Sequence, residues 1–439
     1  MLNTSSVTAR RNAWRRARGR ALPTILAAIQ LRCATGQVMV SRNFAKTRAV
    51  FLPVIALRSM KPFYFAKKKV QLVPAAIILL GLTISTKISA QTISTFDAPG
   101  AGTGGRKGTY ALDIDPSGRT IGFFRDANDV RRGFIRSQDG TFTVFDAPGA
   151  GTAPGQGTRA YSTNPTGAIT GHFTDSVNVA HGYVRSSEGV ITVFDAPGAG
   201  TAAGQGTFPF NSPNLINPDG AITGYYVDST FVLHGFLRDK NGVITAFDAP
   251  GAGTGVRQGT QSFALSPGGE TTGFYFDATS AVHGFLRDAK GVITTFDVPG
   301  GGTGPGEGTF GGGFTPNGGI LGVLIDANFV NHGFLLDKDG AVITFDAPDA
   351  GTGFNQGTLP WGVNTNGAIT GWYLDSVNVL HGFVRDQHGV LTEFDPPGAG
   401  TAPFQGTNVY NIAPNGAVTG FYVDSNDTAH GFVREPAGQ

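Results

Sequence analysis

Beyond residue 90 the chain is a succession of short, partly alternating apolar runs separated by clusters of Gly, Pro and Asx-Gly. No segment there sustains the apolar period of a helix. Residues 195–247 show the pattern. A first strand is expected around Gly206–Ile216, ending at the turn Asn217-Pro218-Asp219-Gly220. A second covers Ala221–Val227. A third covers His234–Arg238 and ends at Asp239-Lys240-Asn241-Gly242, and a fourth covers Val243–Phe247. Pro-x-Gly and Asx-Gly turns between β-rich runs are hairpin signals.

The pattern recurs. Phe-Asp-x-Pro-x-x-Gly-Thr begins at Phe96, Phe145, Phe194, Phe247, Phe296, Phe345 and Phe394, at spacings of 49 residues except one of 53. His-Gly-(Phe/Tyr) follows the same count, with Arg132-Gly133-Phe134 in the first copy. The longer third copy carries four extra residues around Phe208–Asn217, an extended loop. Seven four-stranded units of about 50 residues predict an all-β fold, a seven-bladed β-propeller of four-stranded antiparallel blades. A β-solenoid is the competing repeat fold, but its rungs are shorter, about 20–30 residues, and lack two tight hairpins per unit.

Loop length says where a blade ends. The third-to-fourth connection is a tight turn, whereas the Gly-rich link after the fourth strand, such as Pro250–Gly259, can step to the next blade. The chain therefore enters at Thr92–Phe96 with a fourth strand lacking its blade, and stops after a third strand at His430–Arg434. Pairing of Thr92–Phe96 with Phe432–Arg434 is expected to complete the last blade and close the ring, covering edges otherwise exposed.

Composition divides the chain. Residues 1–90 hold 16 of the 33 Lys and Arg and no acid, leaving 17 basic and 31 acidic groups beyond, a net of −14. Cys33 and the three Met also lie in the first 90 residues, so the body has no disulfide, thiol nucleophile or Cys-based zinc site. An acidic body is a poor nucleic-acid binder and a surface that draws cations or basic partners. Residues 60–90 have the three parts of a secretory signal: four Lys between Lys61 and Lys69, a 13-residue apolar run from Leu72 to Ile84, and small residues before a cut after Ala90. A run of 13 is short for a membrane span, which needs about 20 residues. Export to the extracellular space or periplasm is expected, with membrane attachment only through this segment if it is retained. Residues 1–59 read as a basic extension upstream of a true start at Met60, or as a transit-type presequence.

Candidate chemistry is repetitive. Asp126, Asp175, Asp228, Asp277, Asp326, Asp375 and Asp424 each precede the His, or Arg132, of their unit by six residues. A second set, Asp97, Asp146, Asp195, Asp248, Asp297, Asp346 and Asp395, lies in the inter-blade loops. An antiparallel meander brings both sets to one face. Ca²⁺ held by carboxylates and loop carbonyls is one reading; hydrogen bonds that build every blade alike are the other. The spacing does not match the acidic calcium-loop motif, and Pro-Gly-Ala-Gly-Thr lacks the Gly-Lys-(Ser/Thr) of a phosphate loop.

Function in a repeat ring belongs where copies differ. Arg132 replaces His, and Lys107, beside Arg106, replaces a Gln found in most copies. His172 takes an aromatic position filled elsewhere by Tyr225, Phe274 or Trp372. Tyr161, Phe208, Phe210, Phe310, Trp361 and Tyr410 decorate first strands. Exposed aromatics with polar rims suit a carbohydrate or peptide; packing between blades is the alternative. Arg106, Lys107, Arg132, Tyr161, His172 and Trp361 are thus the candidate ligand residues. They point to a non-catalytic module for a glycan, peptide or cell-surface component. An extracellular lyase or hydrolase at the channel mouth, and a Ca²⁺-stabilised structural protein, are the alternatives.

The unit Asn-Pro-x-Gly-Ala-Ile-Thr-Gly, then Asp, then His-Gly-Phe-(Leu/Val)-Arg-Asp, then Phe-Asp-Ala-Pro-Gly-Ala resembles the bacterial extracellular repeat family called HAF, over about residues 92–436. That family is named for a His-Ala-Phe tripeptide. Here Gly stands for the Ala, and Arg132 breaks the first copy. The resemblance implies export and a β-repeat fold, and brings no assigned activity or catalytic residue.

Overall fold

The computed structural model describes residues 91–436, so the expected basic extension and signal segment, residues 1–90, lie outside the described residues. Among the described residues there are 28 strands and no helix. Gly108–Ile114, Thr120–Arg125, Arg131–Arg136 and Phe142–Phe145 pair in that order as an antiparallel meander. The same order recurs along the chain, and the strands join into one closed ring of the propeller type.

The turns form where the Asx residues stand. Asp239 Oδ1 accepts the backbone N–H of Asn241 at 2.9 Å and of Val243 at 2.8 Å. Gly242 then takes a φ of +92°, open to Gly at no steric cost. Consecutive meanders are joined by one parallel pair. Arg131 meets Gly157, and Leu233 meets Gly259. A Cβ on Gly157 would lie 2.1 Å from the Arg131 carbonyl oxygen, so glycine is required at this seam. The following Thr hydroxyl is buried and receives the N–H of the residue after the inter-copy Asp, as Thr158 does from Ala147 at 2.9 Å.

Side-chain interleaving holds neighbouring copies together. In each copy the Phe that ends the outer strand lies flat on the Gly of His-Gly-Phe. A Cβ on Gly235 would come within 2.6 Å of the Phe247 ring. On its other face the Phe meets an Arg of the next copy: Arg287 lies 5.1 Å from the Phe247 centroid, and Arg185 lies 5.2 Å from Phe145. Leu336 takes the Arg position in the fifth copy and packs in the same cluster as Phe296.

The ring closes as expected. Ile93–Phe96 pairs antiparallel with Gly431–Arg434. Phe96 covers Gly431, and Arg136 sits 4.6 Å over the Phe96 ring, so the last copy is interleaved with the first. Asp113 adds a second joint. It accepts N–H groups from Thr163 at 2.7 Å and Ile114 at 2.8 Å, and from the Asn411 amide. Burial pushes its carboxyl up to about 8 against those donors.

The expected first strand of the third copy is cut short. It runs only from Gly206 to Phe208. Pro209 and Pro213 remove ladder donors, and Asn211 takes a φ of +54°. The extra residues leave the sheet and cross the middle of the ring. The Asn214 carbonyl accepts from Leu265 N at 2.9 Å, the Pro213 carbonyl from Ser162 Oγ at 2.6 Å, and Asn211 Oδ1 from the Tyr410 hydroxyl at 3.2 Å. These partners lie in the fourth, second and seventh copies. Gly313 of the fifth copy leaves room for the Asn214 amide. The insertion therefore blocks the channel at the level of the Ser162, Ala264 and Gly313 positions.

Two outcomes check this architecture. A chain beginning at Gly104 loses the closing strand and should melt lower by about 5 °C or more; an unchanged melting temperature would remove the closure. Gly235→Ala should destabilise by about 1–3 kcal/mol through overpacking against Phe247, read in urea unfolding.

Candidate functional site

The two Asp sets and the His residues share one face and form a repeated clamp. His181 Nδ1 lies 2.9 Å from Asp195, and Nε2 lies 3.5 Å from Asp175. Asp175 Oδ1 meanwhile accepts the N–H groups of Val177 at 3.0 Å and Val179 at 2.8 Å, closing the turn between the second and third strands. The His ring stacks on the aromatic opposite it, at 5.0 Å for Phe173–His181 and 4.8 Å for Tyr226–His234, except at His332, which stands opposite Leu324. The last clamp joins His430 to Asp97 at 3.0 Å across the chain ends. Asp126, Asp175, Asp228, Asp277, Asp326, Asp375 and Asp424 all cap their turns in this way.

Arg132 fills the His place in the first clamp. Its Nη1 lies 2.5 Å from Asp146 and its Nε 3.5 Å from Asp126, so it keeps the geometry with a fixed charge. Lys107 also has a building role. The usual Gln bridges two loops, as Gln156 does by accepting from Ala153 N at 3.0 Å and donating to the Ser176 carbonyl at 3.1 Å. Lys107 keeps the donating half, to the Ala127 carbonyl at 3.2 Å. Glu307 keeps the accepting half, from Gly304 N at 2.8 Å.

The candidate aromatics are buried rather than exposed. Tyr161 is 3% and Trp361 8% accessible. Both are the unpaired residue of a β-bulge on the inner strand, as are Phe263 and Tyr410, and a bulge re-aims the side chain. Trp361 packs on Phe263, Trp372 and Tyr410. Tyr161 packs with His172 and Phe210 of the insertion, and through Phe123, Tyr110 and Phe421 its rings run on to Tyr410.

Around Tyr161 the structure gathers arginines that the sequence reading passed over. Arg125 and Arg131 are cross-strand partners, Arg131 is paired with Gly157, and Arg159 stands two residues along that strand. All three are specific to their copy. Other copies place Val227 or Leu374 at the Arg125 position, Leu233 or Leu380 at the Arg131 position, and Gln261 or Leu359 at the Arg159 position. Column-by-column comparison of the copies along the strand register finds them. Comparing only the turn strings does not.

The group is held mostly by neutral partners. Arg159 Nη1 lies 2.9 Å from His172 Nε2 and donates to Thr174 Oγ1 at 3.2 Å. A guanidinium cannot accept, so Nε2 is the acceptor and the His172 proton sits on Nδ1, 3.4 Å from the Pro209 carbonyl. Burial, with Arg159 beside it, holds His172 well below the usual imidazole range and neutral. Arg131 donates to the Gly155 carbonyl. Burial and the charges of Arg159 and Arg125 pull it down to about 9, which leaves it cationic at neutral pH. Arg125 donates to the Arg106 carbonyl at 2.8 Å and pairs with Asp129. Among the described residues, Asp129 is the one carboxylate ion-paired with Arg106, Arg125, Arg131 or Arg159. These four Arg, with Lys107, are half-buried on the same face as the clamps.

No protein-family profile matches the chain, and no curated protein does. Among solved structures, virginiamycin B lyase from Staphylococcus aureus aligns at 13% identity and a TM-score of 0.49, over 79% of this chain and all of its own. A lectin from Burkholderia pseudomallei aligns at 11% and 0.48, over 80% of this chain and 98% of its own. The six-bladed Aleuria aurantia lectin, described with a fucose recognition mode, gives 11% and 0.35, over 75% and 97%.

The clamps set a pH dependence. Hydrogen bonds to Asp346, Asp395 and Asp97 raise His332, His381 and His430. A raised imidazole value contributes stability in full below about 6.5, its unfolded value, and loses it as pH rises through the folded value. The melting temperature should fall between pH 6 and 9, and less steeply in the triple variant His332→Gln, His381→Gln, His430→Gln. Asp113, raised by burial, adds a decline between its ordinary value and about 8 that the variant leaves in place. An unchanged slope in the triple variant would assign the whole effect elsewhere.

Proposed function

We propose that this chain is an exported, non-catalytic binding module: a seven-bladed propeller that takes its ligand at the loop face, above the blocked channel. The observation that carries this reading is convergence. Residues the repeat does not need for building, Arg125, Arg131, Arg159, His172 and Tyr161, come from the first two copies to one place. Half-buried Phe208 and Phe210 border them, offering flat apolar faces suited to a sugar ring or an aromatic peptide side chain. Arg106 joins this group through the Arg125 bond, while Lys107, Arg132 and Trp361 serve the loops, the clamp and the opposite wall. The signal pattern of residues 60–90 and the HAF-like repeat support export. Two carboxylates in every clamp support Ca²⁺ as a stabilising surface ion.

The test is a glycan and metabolite binding panel on the purified protein, with and without Ca²⁺, read by titration calorimetry. One site per chain is expected for at least one member. About seven equal sites would place binding at the repeated clamps instead, and no saturable binding would remove the reading. Turnover of a bound member would favour the lyase or hydrolase alternative. A melting temperature unmoved by chelator would remove the Ca²⁺ part.

A further inference from the structure

The body is acidic, yet Arg125, Arg131 and Arg159 stand side by side where its first two copies meet. Arg136, Arg185, Arg238, Arg287, Arg385 and Arg434 lie over Phe rings, as the repeat requires. Arg119 pairs with Asp115, and Arg132 lies between two Asp. Arg131 and Arg159 are different. They bond to a carbonyl, a hydroxyl and a neutral imidazole.

Desolvating like charges side by side is unfavourable in the free protein. Leucine fits both positions in other copies, so packing does not demand the arginines. Guanidiniums present forked donors that match planar or tetrahedral oxyanions, and partial burial leaves such a contact only partly screened by salt. The insertion closes the channel below, and Tyr161, Phe208 and Phe210 supply an apolar border.

From this juxtaposition we infer that the loop-face site is an oxyanion site, in which Arg131 and Arg159, supported by Arg125, hold a carboxylate or sulfate group carried on a sugar. The inference rests on the binding reading above and narrows its ligand to an acidic oligosaccharide. His172 acts as a positioning residue: it fixes the Arg159 guanidinium through its neutral Nε2.

The probes are tri-galacturonate, a sulfated disaccharide, their neutral counterparts and inorganic sulfate, titrated into the purified protein at low and at physiological salt. An acidic member should bind at least about tenfold more tightly than its neutral counterpart at low salt, with the preference narrowing as salt rises. Whichever of the uronate or the sulfated sugar shows it names the oxyanion. The variant Arg131→Leu with Arg159→Leu, built from residues that other copies carry, should lose the preference at an unchanged or higher melting temperature. If that variant does not fold, the rise in melting temperature that sulfate gives the unaltered protein serves in its place. Equal binding of acidic and neutral sugars, or a preference that survives the double variant, overturns the oxyanion site and leaves the binding reading standing. No binding of any sugar removes both.

Discussion

The structure depends on one stacking contact: a Phe ring laid on a glycine of its own copy and under a cation of the next. The glycine has no alternative, because a Cβ would enter the ring plane. The ring covers a stretch of backbone that would otherwise offer nothing to bury, a rescue of glycine by an aromatic. The arginine on the other face links copy to copy without a long side-chain network. At the closure, Phe96 makes the contact with Gly431 and Arg136, so the N-terminal residues hold the two ends of the ring in the same way as five of the other six junctions, Phe296 meeting Leu336 instead.

Everything repeated is thereby accounted for by construction. The Asp–His–Asp clamp closes a turn, seats a His on an aromatic ring and ties the outer strand to the third. Its substitutions preserve geometry: Arg132 for His, Lys107 or Glu307 for Gln. In the seventh copy Pro396 removes an N–H, and the Thr407 hydroxyl donates to Asp395 instead of receiving. Such compensation is what a building element shows. Arg125 is paired with Asp129, but Arg131 and Arg159 bond only to neutral groups, and so their charge stands apart from the scaffold.

Much of the architecture was legible because the repeat is nearly verbatim. Turn residues fixed the strand order within each copy, and the incomplete units at the two ends announced their pairing. The third copy's inner strand was misjudged in length, since apolar composition around Phe208–Ile216 looks the same whether it lies in a sheet or crosses a channel. The site was legible only in part. Arg106, His172 and Tyr161 were found from differences near the turns. Arg125, Arg131 and Arg159 sit inside strands, where only the register shows that residues 125, 131 and 159 are neighbours. Of the first-strand aromatics, Tyr161, Trp361 and Tyr410 are buried because bulges direct them inward, the packing alternative, whereas Phe208 and Phe210 stay half-buried.

The insertion of the third copy has a consequence for the shape of what can be recognised. A ring with an open bore lets a polymer thread through, so internal stretches of a chain can be read. With Asn211 held by Tyr410 of the seventh copy and Asn214 by Leu265 of the fourth, the insertion stops the bore. Whatever enters must go in head first and back out the same way. Under the proposed binding function, such a vestibule would favour chain ends and short branches over the middles of long strands.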